Sequence, residues 1–357
     1  MKKLLCLILT LALCINSIAI ISADSIYNPL TNELKEFLSL IVSSFGKDYN
    51  ISKTDLSELS YGSIIYAYTV LNGELSESQV KYIPIYYDNE VYGVIEKFPN
   101  GIGGYNYSYS EGYAEELNDF LAHNHSVVIV GAESGMIAYN EDDVAVLSGT
   151  FENSYINILE SESEQLSYTT VSHSIPLDVE SSMQQAEVNA TNEVYTNYLN
   201  VPAKTQYNIY TCWAACVASV GCYKTNLYYT AQGVSDHTQV NNHGLASIVE
   251  TQSALQAVFG LQSTIKNAPS ILTIKNLINN DKPMISFFLV YDSNGNISGN
   301  GHVVVVRGYA TSEYTFAISF MEPSTGTFKV QTVSNGNDIT ISVNNTVYHY
   351  WKYLKLA

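Results

Sequence analysis

Three cysteines lie within one stretch of the sequence, TQYNIYTCWAACVASVGC at 205–222. The pattern predicts a helix over 212–222, which places the Cys212 thiol just inside the helix N-terminus. Backbone N–H groups and the helix dipole at that end stabilise an anion, so they favour the nucleophilic thiolate. Cys216 and Cys222 are expected to be small buried hydrophobes, with a disulfide between them as the weaker alternative. Cys212 is therefore the candidate nucleophile.

A thiolate nucleophile needs a neighbouring base, and His302 is the best-placed histidine for that role. In GNGHVVVVRGY it follows a Gly-rich turn and opens an apolar run that predicts a strand. The alternative is a histidine that is merely hydrogen-bonded at a strand end. The other histidines lie in the acidic first half, in the linker, in a polar loop or in a terminal strand.

Two further polar residues could complete such a site. Glu322 ends the next predicted strand, in FMEPSTG, where a carboxylate could orient the imidazole. Gln206 precedes Cys212 by six residues, and its amide NH₂ could bind a developing oxyanion together with the Cys212 backbone N–H. The alternatives are a strand-end charge that reaches water and an ordinary polar loop residue.

These motifs together resemble those of papain-like cysteine peptidases. Gln206 and the C-W-A-A box that begins at Cys212 resemble the family's oxyanion-hole glutamine and nucleophile box, most closely in its bacterial secreted branch. GHVVVVRGY is similar to the family's histidine strand, and FMEPSTG is similar to its acid position. The resemblance covers about 201–335.

The resemblance implies a role for each residue. Cys212 would attack a carbonyl, and His302 would hold a proton and then give it to the leaving amine. Gln206 would bind the oxyanion and Glu322 would orient the imidazole, while Trp213 would pack beside the pair, shield it from water and line the substrate site. The sequence departs from the family in two ways: His302 follows Cys212 by only 90 residues, and Glu322 stands where the family has Asn or Asp. No metal or other cofactor is implied.

The elements that must position these residues form an α+β domain over 201–357. Helical patterns come first and strands afterwards, which is typical of an α+β class. The resemblance implies a papain-like domain, with the nucleophile on its N-terminal helix and the histidine and acid on an antiparallel sheet. Helices are predicted over 212–222, 244–258 and 270–280, and strands over 283–290, 301–310, 314–322, 327–333 and 346–356.

Residues 24–155 are predicted to form a second, smaller α+β domain that resembles a propeptide. Helical spacing is found at 31–46 and 110–125, a hairpin around Asp88-Asn89 at 81–98, and further strands within 126–149. Residues 156–200 are polar and lack clear periodicity, so they are predicted to be a linker with a processing site and a short helix near 180–195.

The first residues have the pattern of a secretory signal peptide over 1–23. Lys2 and Lys3 precede an apolar run, and Ser22-Ala23 supply small residues for cleavage. An uncleaved membrane anchor is the alternative, because the run nearly reaches the length of a bilayer span. No later segment is apolar enough to cross a membrane. We therefore expect a secreted, extracellular protein that could also associate with the cell surface.

Charge is concentrated in the first half of the chain. Residues 24–199 carry 27 Asp/Glu and 5 Lys, a net charge of −22, whereas residues 200–357 carry 7 Asp/Glu and 9 Lys/Arg, a net charge of +2. So acidic an exported segment argues against nucleic acid and anionic membranes as partners. It is compatible either with simple solubility or with a separate module docked on the second half.

The sequence thus predicts a secreted cysteine endopeptidase made as a zymogen. Its partners would be a protein or peptide substrate and its own N-terminal domain, acting as an intramolecular inhibitor. Two alternatives stay open. One is an acyl transferase of the transglutaminase kind, which would use the same Cys-His machinery. The other is a non-catalytic surface adhesin, in which Cys212 would be unreactive.

Overall fold

The computed structural model describes residues 29–49, 56, 58–71, 73–100, 103–171, 175–176, 194–242, 244–291, 296–297, 301–312, 315–334 and 339–357. The expected signal peptide, and the expected helix near 180–195 up to residue 193, lie outside these residues. Within the described ranges, no helix has the length and apolar character needed to cross a membrane.

Two compact units divide the chain, residues 1–37 and residues 38–357. In the first unit, the described residues form the beginning of helix α1 (Pro29–Phe45), which continues into the second. Within the second unit we call residues 38–176 the N-terminal half and residues 194–357 the C-terminal half.

The N-terminal half is mixed α/β, as its sequence pattern predicts. Its β3–β4 hairpin turns at Asp88 and Asn89, which both have positive φ, as a two-residue turn of type I′ requires. Its sheet is antiparallel except for one parallel pair, β2 with β6. The elements are β1 (Ser60–Tyr61), β2 (Ile65–Leu71), β3 (Glu74–Tyr87), β4 (Glu90–Pro99), β5 (Tyr105–Ser110), α2 (Ala114–His123), β6 (Ser126–Ala132), β7 (Gly135–Tyr139), β8 (Val144–Gly149), α3 (Asn153–Ser161), β9 (Thr169–Thr170) and β10 (Ile175–Pro176).

The C-terminal half places four helices before most of its strands. Each helix and strand predicted for it is present, with bounds that differ by at most a few residues, but three strands and one helix were not predicted: β11, β12, β17 and α5. The elements are β11 (Tyr195–Tyr198), α4 (Cys212–Thr225), α5 (Ala231–Thr238), α6 (Ile248–Phe259), β12 (Ser263–Asn267), α7 (Ile271–Asn279), β13 (Met284–Leu289), β14 (His302–Thr311), β15 (Phe316–Glu322), β16 (Thr327–Val333), β17 (Thr340–Val343) and β18 (Thr346–Leu356).

Strand β14 organises the sheet of the C-terminal half. One of its edges pairs first with β13 and then with β11, and the other edge pairs with β15, all antiparallel. β15 also pairs with β16, and β13 also pairs with β18. β18 pairs in turn with β12 and β17. Residues Val303–Val306 are fully or almost fully buried, because they belong to the hydrophobic core of the C-terminal half. A strand covered on both faces explains the uninterrupted valine run in the sequence.

The two halves have separate hydrophobic cores but share one sheet. The core of the C-terminal half draws on residues from Leu199 onwards, whereas the two core clusters of the N-terminal half draw on residues 65–166. Strand β5 nevertheless pairs with β16, with Val330 opposite Tyr109 and Gln331 opposite Ser108. Both halves belong to one compact unit, and a backbone ladder joins their sheets.

The linker predicted over 156–200 is shorter than its polar composition suggested. Helix α3 runs to Ser161, and β9 pairs with β6 while β10 pairs with β1, so residues up to 176 contribute to the N-terminal half. From Tyr195 the chain pairs with β14 in the C-terminal half. The polar residues were misleading because short edge strands need few apolar side chains.

Gly131 provides a test of how tightly the halves fit. A Cβ at this position would lie 2.2 Å from the backbone oxygen of Asn344, at the tip of the β17–β18 hairpin. We expect Gly131→Ala to lower the unfolding free energy by about 1–3 kcal/mol, as other overpacking changes do. Gly233→Ala is the matched control, since its Cβ would meet nothing closer than 3.4 Å. Equal melting temperatures for the two variants would contradict the close approach.

Candidate active site

Cys212 is the first residue of helix α4, as the sequence predicts. The carbonyl of Thr211 accepts the N–H groups of Ala214 and Ala215, and the Thr211 hydroxyl donates to the Asn208 carbonyl, so a tight turn leads into the helix. The helix ends at Thr225 and is capped by Asn226, which has a left-handed backbone and donates its N–H to the Cys222 carbonyl. Residues 212–221 are all buried, so α4 is a central helix that fixes the direction of its own N-terminus.

His302 and Glu322 lie at facing ends of two neighbouring strands. His302 opens β14 and Glu322 closes β15. Val305 pairs with Met321, so extension of that register by one residue puts Glu322 opposite Val304. His302 is two residues further along the same face, which makes the two side chains diagonal neighbours. His302 Nε2 and Glu322 Oε1 are 2.8 Å apart, within hydrogen-bond distance.

Glu322 is fully buried and is held as a carboxylate by its surroundings. Burial raises the pKa of the Glu322 carboxyl, but the opposing effects of His302, Lys329 and the Ser324 backbone N–H outweigh it and hold the pKa below its ordinary value. The Ser324 N–H donates to Oε1 at 3.0 Å. The second oxygen, Oε2, is buried without a hydrogen-bond partner among the described residues.

His302 contacts Cys212 as well as Glu322. Burial lowers the pKa of the imidazole, but Glu322 and the side-chain hydrogen bond with Cys212 raise it more strongly, to about 10. Since Glu322 engages Nε2, the nitrogen that remains for the thiol is Nδ1. An imidazolium between a carboxylate and a thiol is the arrangement that activates a cysteine nucleophile.

Gln206 is brought to the same region by the turn that follows Glu322. Its backbone N–H donates to the carbonyl of Pro323 at 2.9 Å. Nearby, a Cβ at Gly326 would lie 2.0 Å from the Thr205 hydroxyl, so only glycine permits this approach of the two loops. The Gln206 side-chain oxygen is buried and has no hydrogen-bond partner among the described residues. The side-chain oxygen of Gln206 therefore takes part in no hydrogen bond within the described part of the chain.

Trp213 points into the protein core and not into an open site. Only 1 % of it is exposed, and its indole N–H donates to the carbonyl of Gly244 at 3.0 Å. This placement is compatible with the expected packing and shielding role. The expectation that Trp213 lines the substrate site stays a prediction.

The other two cysteines form hydrogen bonds with backbone groups. The buried Cys216 thiol donates to the Val303 carbonyl at 3.3 Å, and the Cys222 sulfur accepts the Tyr229 N–H at 3.2 Å. All three cysteines of the described chain are free thiols. Burial raises the pKa of the Cys216 thiol well above its ordinary value, so this thiol is a poor nucleophile.

Tyr348 is a residue near the site that the sequence analysis missed. Its ring centroid lies 5.8 Å from that of His302. Burial raises the pKa of its phenol, and the nearby Cys212, Glu322 and Glu133 raise it further. Glu133 belongs to the β6–β7 turn of the N-terminal half, so both halves approach the candidate site. Tyr348 lies on β18 far along the chain, and an aromatic residue in a strand gives no sequence signal for a site.

Comparisons with known proteins do not assign the chain to a family. No protein-family model matches it, and no curated protein does. Among solved structures, it is similar to a protein from Bacillus anthracis described as a "putative C39-like peptidase". The sequences are 12 % identical, the match covers 40 % of this chain and 99 % of the other, and the TM-score is 0.28. A similarity this low does not define the fold or the activity of this chain.

The protonation of His302 provides a test of the site geometry. Because the pKa of His302 in the folded chain, about 10, exceeds the ordinary 6.5, the folded state binds this proton more tightly than the unfolded state. The resulting stabilisation is complete below about pH 6.5 and is lost as the pH rises through about 10. NMR of the imidazole, assigned with His302→Gln, should show no titration between pH 6 and 8. A midpoint near 6.5 would contradict the buried carboxylate–imidazolium–thiol arrangement.

Proposed function

We propose that this protein is a papain-like cysteine endopeptidase of the bacterial secreted kind. The observation that carries the proposal is the geometry of one imidazole. His302 Nε2 lies 2.8 Å from the Glu322 carboxylate, and the same imidazole has a side-chain hydrogen bond with Cys212, the first residue of a buried helix. A histidine that served only to close a strand end would need one of these partners but not both.

The proposed reaction uses the thiol and the imidazole in turn. The Cys212 thiol passes its proton to His302, and the sulfur attacks the scissile carbonyl carbon, so a C–S bond forms as the carbonyl electrons move to oxygen. His302 then gives its proton to the leaving amine as the C–N bond breaks, which leaves a thioester. Water, deprotonated by His302, attacks the thioester, releases the acid product and restores the thiol. Glu322 keeps the ring oriented through both steps.

The oxyanion of each tetrahedral intermediate needs hydrogen-bond donors. Gln206 and the backbone N–H of Cys212 are assigned to this role. Removal of one such donor typically slows catalysis by roughly 100- to 1000-fold. The support for Gln206 is its tether to Pro323, next to the site, and an amide whose oxygen has no partner in the described structure.

The N-terminal half is proposed to act as an intramolecular inhibitor of this enzyme. In the full chain, only 5 % of Cys212 and 8 % of His302 are exposed, which leaves little surface for a peptide substrate. Its Glu133 lies close enough to Tyr348 to affect the phenol electrostatically, and its Tyr155 is affected in the same way by Tyr210, two residues before the nucleophile. Secretion by the 1–23 signal peptide and cleavage between 177 and 193 complete the proposed zymogen.

Two cysteines on one helix allow a matched experiment. Wild type, Cys212→Ala and Cys216→Ala are compared for cleavage between 177 and 193 and for labelling by a small epoxide thiol inhibitor, both read by intact mass. Wild type and Cys216→Ala should be cut and carry one label, because the Cys216 thiol only donates to a carbonyl. Cys212→Ala should show neither change.

The same samples separate the alternatives. If Cys212→Ala were cut and labelled like wild type, the nucleophile assignment would be wrong and a non-catalytic adhesin would be favoured. Incubation of wild type with a peptide substrate and a primary amine distinguishes hydrolysis from acyl transfer. The peptidase predicts free acid as the main product, and a transglutaminase-like enzyme predicts the amide of the added amine.

A further inference from the structure

The contacts between the two halves point to a property of the processed protein. We infer that the N-terminal half stays bound to the C-terminal half after the chain between them is cut, so that processing yields a two-chain complex. This inference rests on the proposed function only for the occurrence of the cut in the natural protein. The contacts that carry it are present whether or not Cys212 is catalytic.

The first contact is a shared strand ladder. β5 pairs with β4 on one edge and with β16 on the other, so it is an internal strand of a continuous sheet. The Tyr107 N–H also donates to the Thr332 hydroxyl at 2.8 Å, which extends the contact beyond the paired residues. Loss of the N-terminal half would leave β16 with an unpaired edge, and such edges are prone to aggregation.

The second contact is a pair of buried ion pairs between the halves. Lys329 Nζ lies 2.7 Å from Glu96 Oε1, and the two side chains are 0 % and 1 % exposed. Arg307, also 0 % exposed, lies 2.6 Å from Asp48. In each pair the cation belongs to the nearly neutral C-terminal half and the acid to the acidic half. The charge asymmetry of the sequence is therefore matched by specific pairing at this interface.

Buried interfacial ion pairs of this kind slow dissociation. Loss of one partner from such a pair costs much of the binding energy, because the other charge is left desolvated and alone. Lys329 has a further contact from the N-terminal half, the Tyr113 ring, whose centroid is 5.0 Å from Nζ. The cation is thus enclosed by two side chains that belong to the opposite half.

The third contact is the tip of the β17–β18 hairpin, inserted into the sheet of the N-terminal half. The Asn345 amide donates to the carbonyls of Tyr68 and Ile129, which lie on the parallel strands β2 and β6. Its side-chain oxygen accepts the Tyr82 hydroxyl, and its backbone carbonyl accepts the Ser78 hydroxyl. Only 4 % of Asn345 is exposed, so the residue is surrounded by groups of the other half.

None of these contacts involves the segment to be cut. β10 ends at Pro176 in the N-terminal half, and β11 begins at Tyr195 in the C-terminal half. A cut between 177 and 193 therefore removes the covalent connection and leaves the ladder, both ion pairs and the inserted hairpin in place.

The experiment uses the full chain with Cys212→Ala, so that self-cleavage plays no part. A recognition site for a specific protease is introduced between 177 and 193, the protein is cut to completion, and the product is applied to a size-exclusion column at micromolar and nanomolar concentrations. We expect both fragments in one peak at both concentrations, with separation only in denaturant. Elution of the C-terminal fragment alone at micromolar concentration would overturn the inference.

Matched lysine variants test which contacts hold the complex. Lys329→Met removes one partner of the buried pair, whereas Lys224→Met removes the surface pair of Lys224 with Asp281, in which the side chains are 25 % and 59 % exposed. After cutting, Lys329→Met should weaken the association of the fragments by about 100-fold or more, and Lys224→Met should have little effect.

A second variant guards against misfolding of Lys329→Met. Asn345→Gly keeps the left-handed turn conformation (φ 65°) and removes the amide that bonds Tyr68 and Ile129. It should also speed dissociation of the cut fragments. If Lys329→Met and Asn345→Gly both fold and bind as tightly as Lys224→Met, the assigned contacts do not hold the halves together and the inference is wrong. Because every sample lacks the Cys212 thiol, this outcome is independent of the peptidase proposal.

Discussion

The candidate site depends on the contact between one imidazole and one carboxylate at the end of two antiparallel strands. His302 and Glu322 meet only because β14 and β15 pair in the register that makes their end residues diagonal neighbours. A shift of one residue would move one of the two side chains to the opposite face of the sheet. The buried valine run of β14 fixes that register, since its side chains fill the core on both faces. Core packing thus determines the geometry of the polar site.

A buried carboxylate is unfavourable unless charges and donors surround it. Around Glu322 these are His302, the Ser324 N–H and, at longer range, Lys329. Lys329 is in turn neutralised by Glu96 of the N-terminal half. The charged groups that surround Glu322, the partner of the imidazole, are therefore connected to both halves of the chain. Ion pairs and a shared strand ladder join the halves, so two separate hydrophobic cores belong to one compact unit.

Much of the C-terminal half could be predicted from sequence, because its elements begin and end at informative residues. Cys212 opens its helix, His302 opens its strand and Glu322 closes the next one, as their flanking patterns indicated. Helix α5 and strands β11 and β12 were missed, since they are short and largely polar and so carry little periodicity. The β17–β18 hairpin had a signal that was overlooked: Asn344-Asn345 between two β-rich runs, both with positive φ.

Contacts between distant parts of the chain could not be predicted. No local pattern links Lys329 with Glu96, or Asn345 with Tyr68, because pairing across more than two hundred residues leaves no trace in one sequence. Charge asymmetry indicated a separate docked module but not a shared sheet. Tyr348 was missed for the same reason, since only the folded chain places its ring beside His302.

The rate at which iodoacetamide alkylates Cys212 at pH 7, compared in wild type and in His302→Gln, tests the central claim most directly. If His302 activates the thiol, wild type should be alkylated faster than the variant. Equal rates for the two proteins would show that His302 does not activate Cys212, and the proposed peptidase chemistry would have no basis.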